Sequence, residues 1–157
     1  MPTRMTRLCV MLLLGVTAAC PAASADPLAG KWGLNVARSH YGGGAEPRRE
    51  ETLTCQADRE IIRCTIESVR VDGRKLVGTF TAAYDGKPHP TAGIPDVDQV
   101  TLQRLNEFVA DATFSFEGKP VFGYRAVRSD DGRSLTVVSV DPTTRVVRSS
   151  VVVYDRK

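Results

Sequence analysis

From about residue 30 onward, apolar and polar residues alternate in short runs, and turn-forming residues separate the runs. A period of two predicts strands, and the three-to-four spacing of an amphipathic helix is almost absent. The clearest run is 108–117. Phe108, Ala110, Ala112, Phe114 and Phe116 share one face, and Val109, Asp111, Thr113, Ser115 and Glu117 the other. Residues 75–84 repeat the pattern, with Leu76, Gly78, Phe80, Ala82 and Tyr84 opposed to Val77, Thr79, Thr81 and Ala83. Further strands are predicted over 31–36, 49–56, 60–69, 99–105, 120–128, 133–140 and 145–155. Asp58-Arg59, Asp72-Gly73, Asp85-Gly86, Glu117-Gly118, Asp131-Gly132 and Asp141-Pro142 mark tight links. Residues 37–47, with Gly42-Gly43-Gly44, read as a long strap. Pro88, Pro90 and Pro95 predict an extended but unpaired segment.

Short links make sequence neighbours spatial neighbours, so the strands form an antiparallel meander. No helix covers its apolar face, and closure removes both sheet edges. The expected fold is all-β: one antiparallel up-and-down barrel of about eight to nine strands. The alternative is a two-sheet sandwich, whose crossing connection only the 86–97 link is long enough to supply.

The first 25 residues change the picture of compartment. Arg4 and Arg7 precede an apolar run from Leu8 to Ala19, and Ala23-Ser24-Ala25 follows Pro21. This is the pattern of a signal peptide cut before Asp26, leaving one domain over 26–157. The run is shorter than the roughly 20 apolar residues a membrane helix needs. A rival reading lipidates Cys20 within Val16-Thr17-Ala18-Ala19-Cys20 and yields a membrane-anchored lipoprotein. Either route predicts a periplasmic or extracellular protein with no transmembrane segment in its mature chain.

Without the leader, 19 basic residues face 18 acidic ones, so the domain lacks the positive field that nucleic-acid binding requires. Cys55 and Cys64 are the cysteines left in the body. In an oxidising compartment they predict a disulfide, and the hairpin places them opposite each other. His40 and His89 are too few to build a metal site with them.

The domain opens Gly30-Lys31-Trp32 and closes Tyr154-Asp155-Arg156. Gly-x-Trp on the first strand of a meander resembles the lipocalin and wider calycin barrels. There the Trp closes one barrel end and an Arg of the last strand stacks across it, which implies a Trp32–Arg156 pair here. Gly33 departs from the bulky residue usual after that Trp, and the later Thr-Asp-Tyr motif is absent. More closely, Trp32, Leu34, Asn35 and Ser39, the Tyr84–Lys87 turn, and Tyr154 with Arg156 resemble a set of uncharacterised bacterial secreted lipocalin-like proteins. That resemblance implies a barrel and brings no established activity.

Catalytic patterns are weak. Asp85 beside His89 offers a base without a marked nucleophile, and no Gly-x-Ser-x-Gly occurs. His40-Tyr41 before the glycines, and Asp96-x-Asp98, read as solvated loop chemistry. The expected function is therefore non-catalytic and needs no cofactor. It is binding of a small apolar molecule within the barrel, lined by Trp32, Phe80, Tyr84, Phe108, Phe114, Phe116 and Arg156. Gly78 and the alanines at 82, 110 and 112 would leave the space. The alternative is a cell-envelope structural or interaction module that uses loops 37–47 and 86–97 as contact surfaces.

Overall fold

The computed structural model describes residues 26–43 and 45–157. The expected leader, its cut before Asp26 and Cys20 lie outside the described residues. Ten strands follow in chain order: β1 (Gly30–Leu34), β2 (Arg48–Asp58), β3 (Ile61–Arg70), β4 (Lys75–Ala83), β5 (Pro88–Ala92), β6 (Gln99–Arg104), β7 (Val109–Phe116), β8 (Lys119–Arg128), β9 (Ser134–Val140) and β10 (Val147–Arg156). Each pairs antiparallel with its sequence neighbours, and β1 pairs with β10, so the sheet closes on itself. The closing register sets Trp32 opposite Arg156 and Leu34 opposite Tyr154. The sandwich alternative is thereby excluded.

One sequence expectation needs correction. The proline-rich segment is paired, and as β5 it brings the barrel to ten strands. Pro88 and Pro90 lie two residues apart, so their missing N–H groups face the same neighbour. Toward β6 the ladder survives: Pro88, His89 and Pro90 stand opposite Thr101, Val100 and Gln99, and Thr91 N–H donates to Asp98 at 2.9 Å. Toward β4, where the donors are missing, only Thr91 and Ala92 are in register. Gly93 then turns the chain with φ +73°, so close to β4 that a Cβ would stand 2.1 Å from the Val77 carbonyl oxygen. No other residue type fits there.

Inward positions alternate along the strands as the pattern requires. Ile62, Cys64, Val100, Leu102, Ala110, Phe114, Leu135 and Val152 are buried in one continuous core. Full burial of such an aliphatic side chain contributes about 1.5–3 kcal/mol. The Cys55–Cys64 disulfide joins directly opposed residues of β2 and β3 and faces this core. Their Cα atoms are 4.2 Å apart, close to the narrow spacing of a non-hydrogen-bonded antiparallel pair. Closing so short a loop contributes about 2–3 kcal/mol through the unfolded chain.

The strap begins as a 3-10 turn (Val36–Arg38) capped by Asn35, whose side chain accepts from Arg38 N–H at 3.1 Å. Asn35 N–H donates to the Val153 carbonyl at 2.8 Å, and Ser39 Oγ accepts from Val153 N–H at 3.0 Å. His40 continues the pairing with Val151. Asn35 and Ser39 thus fasten the strap to β10 along the edge where β1 pairs.

Candidate functional site

One end of the barrel is shut. Trp32 is fully buried there, its indole Nε1 donating to the Leu28 carbonyl at 2.9 Å, with the Arg156 guanidinium 5.2 Å from its ring. Asp26 folds in beneath it. Its carboxylate accepts from Leu28 N–H (2.8 Å), the Tyr84 hydroxyl (2.9 Å) and Arg104 Nη2 (2.6 Å). Arg104 also lies 4.8 Å from the Tyr84 ring centre. Burial, with Asp26 adding to it, pushes the Tyr84 phenol well above its ordinary range, so it stays a donor.

Above this plug lies an internal cavity of about 120 Å³, floored by Leu28 and walled by Phe80, Phe114, Ala110, Ala126 and the disulfide. Its upper rim is polar. Glu51 is buried on β2, accepting from the Tyr154 hydroxyl of β10 and from Arg48 Nη1 at 3.3 Å, with Arg48 Nε ion-paired to it at 3.0 Å. Burial works against the charge on Arg48, but Glu51 together with Tyr154, Tyr124 and Tyr41 outweighs it and raises the guanidinium pKa. Burial, then Glu51, pushes Tyr154 far up. Tyr41, from the strap, lies with its ring centre 6.0 Å from the Arg48 guanidinium. Its buried hydroxyl has no hydrogen-bond partner among the described residues, and burial raises its pKa.

Past this neck the space widens into a mouth cavity of about 470 Å³, bounded by Arg70, Arg74, Leu76, Ile94 and Phe122. Arg48, Glu51, Ile66, Phe114 and Tyr124 line both spaces. Phe80, Phe114, Phe122 and Tyr124 pack ring to ring, with centroids 4.9–6.1 Å apart, and form one wall of the passage. The arrangement is a shaft with an apolar floor, a hydrogen-bonding neck and a mixed-charge mouth.

The seven residues expected to line the interior divide among four places. Phe80 and Phe114 line the cavity. Trp32, Arg156 and Tyr84 build the plug beneath it. Phe108 precedes β7 and lies half-buried under Arg128, 5.6 Å from its guanidinium. Phe116 is 44% exposed. The register slips between Phe114 and Ser115, and Phe116 then stands opposite Lys119 at the Glu117-Gly118 turn, outside the alternation. Gly78 leaves no void, because Ile94 of the 86–97 link occupies the position its Cβ would take, 2.6 Å away.

Other sequence candidates lie apart from the shaft. His89 Nε2 is 2.9 Å from Asp85 Oδ1, a contact that holds the Asp85 carboxyl below its usual range. His40 is exposed along β10, and Asp96 is exposed near the mouth. No cluster of three metal-ligating side chains occurs among the described residues. Of the two loops expected to offer contact surface, 86–97 is largely taken up by β5 and by Ile94 and Val97 packing into the core. In loop 37–47, Gly42, Gly43 and Ala45 line a separate hollow against Val121 and Pro142.

Sequence reasoning missed Arg48, Glu51 and Tyr154. A signal for Glu51 was present: it shares the alternating face of Leu53 and Cys55, so an inward carboxylate was legible once the disulfide was placed inside. No family model matches this chain, and neither a curated protein nor a solved structure matches it.

Proposed function

We propose that this is an exported, non-catalytic barrel of lipocalin-like type that holds a small, mostly apolar molecule in its interior. The observation that carries the proposal is the pair of adjoining cavities between Leu28 and the mouth, which share Arg48, Glu51, Ile66, Phe114 and Tyr124 and are walled by aromatic and small side chains. The inner chamber is of the order of the roughly 150 Å³ dry cavity that admits benzene. The interior disulfide accords with an oxidising compartment. First-to-last closure and the Trp32–Arg156 stack accord with the calycin resemblance.

Adding toluene to 15N,13C-labelled protein tests the central claim. Shifts confined to Phe80, Ala110, Phe114 and Val152 are expected; an unchanged spectrum at saturation rejects it. Intact-mass analysis of the exported protein tests the compartment and processing. A mass starting at Asp26 is expected, whereas a diacylglyceryl mass starting at Cys20 identifies an envelope lipoprotein instead.

A further inference from the structure

Interior binding leaves the polar end of the ligand undefined. We infer that the ligand is a neutral carbonyl compound (a ketone, ester, lactone or amide) whose apolar part fills the chamber and whose oxygen accepts from Arg48 and Tyr124 at the neck. This inference rests on the interior-binding reading above and deepens it.

Charge argues for neutrality. Arg48 and Glu51 already compensate each other at the neck. Higher in the mouth, Arg70 is paired with Glu46, Arg74 contacts Glu46 at 3.8 Å, and Asp96 adds a further acidic group. The lining thus carries Arg48, Arg70 and Arg74 against Glu46, Glu51 and Asp96. A ligand carboxylate would enter beside buried Glu51 without a free cation to meet it. A ligand ammonium would find the Glu51 oxygens already held by Arg48 and Tyr154. Either charge would be desolvated with little return.

Hydrogen bonding argues for an acceptor. Glu51 is served by two donors, whereas Arg48 gives it only Nε and Nη1. The Tyr124 hydroxyl donates to no group among the described residues, and Arg48 carries N–H groups beyond the two nitrogens that face Glu51; both side chains line the shaft. Tyr41 adds a buried hydroxyl without a hydrogen-bond partner among the described residues beside the same guanidinium. A purely apolar ligand would cover these donors and leave them dry, which is costly. A carbonyl oxygen carries two lone pairs and no charge, so it can accept from Arg48 and Tyr124 together.

Three probes of similar size separate the possibilities: acetophenone, ethylbenzene and benzoate, titrated into the full mature domain by NMR. Acetophenone should bind about tenfold tighter than ethylbenzene, the size of one hydrogen bond to a charged donor. Benzoate should be the weakest of the three. Tyr124→Phe and Arg48→Lys keep the walls and the charge balance. Each should lower acetophenone affinity several-fold more than ethylbenzene affinity, a split that a merely structural defect would not produce. Equal binding of acetophenone and ethylbenzene, or a preference for benzoate, overturns the carbonyl assignment and leaves interior binding standing. Failure of all three probes to shift Phe80, Ala110 and Val152 overturns both readings.

Discussion

The barrel carries the same chemical trio at its two ends, an arginine, a carboxylate and a tyrosine, and uses it differently. At the closed end Arg104 and Tyr84 converge on Asp26, whose side chain is 4% exposed, and Leu28 and Trp32 fill the space above. At the neck Arg48 and Tyr154 converge on Glu51, whose side chain is 5% exposed, but open volume lies on both sides. The carboxylates are equally buried, so burial alone does not mark a site. What distinguishes the neck is unfilled space beside donors that have nothing left to donate to. The closed end is a plug, and the neck is a shelf.

If that contrast is right, damage at the plug should be costly to stability. Trp32→Ala removes the largest fully buried side chain and the surface on which Arg156 stacks. It should cost about 3–5 kcal/mol in denaturant unfolding. A loss under 1 kcal/mol would mean that the closed end is not packed as described. Asp26→Asn leaves Arg104 facing a neutral amide. Because Arg104 is 29% exposed, about 2 kcal/mol is expected rather than the full cost of breaking a buried pair.

Much of the plug could be read in the sequence, and little of the shelf. Trp32 stands in a short motif on the first strand, and Arg156 ends the last, so antiparallel closure alone brings them opposite. Alternation likewise placed Phe80, Ala110 and Phe114 inside. The neck depends on relations that alternation does not encode. Arg48 precedes a register shift between Arg48 and Glu50, and Tyr154 meets Glu51 only because β10 and β2 flank β1. Two expectations fail for different reasons. Unbroken alternation puts Phe116 inside, but a bulge interrupts the register; prolines suggest that 88–92 is unpaired, but their two-residue spacing leaves one edge free to pair.

Two wall features sharpen the comparison, since they belong to neither end. Replacing Cys55 and Cys64 together by Ala should lower stability by about 2–3 kcal/mol, and thiol titration of the unreduced protein should find neither cysteine reactive. Smaller still is the effect of pH on Asp111, on the outer face of β7. Burial would raise its pKa, but hydrogen bonds from Arg125 (2.8 Å) and the contact with Arg145 (2.6 Å) prevail and hold it below the usual range. A depressed folded pKa gives stability that is present above the unfolded value of about 3.9 and is lost as pH falls through the folded one. Below about pH 4 the wild type should therefore lose stability more steeply than Asp111→Asn. Parallel acid limbs in the two proteins would show that this pair contributes nothing to acid sensitivity.

The smallest expected effect bears most directly on the shelf. Tyr124→Phe keeps the ring that packs 5.3 Å from Phe122 and 6.1 Å from Phe114, and removes one hydroxyl with no partner among the described residues. Its unfolding free energy should move by less than about 0.5 kcal/mol. The matching change at the plug, Tyr84→Phe, removes a hydroxyl that donates to buried Asp26 and should cost about 1.5–3 kcal/mol. Two chemically identical deletions in one barrel would then differ several-fold in stability, because one hydroxyl completes the fold and the other faces a passage. Equal losses would mean that the neck is as structurally committed as the plug, and the functional distinction between the two ends would fail.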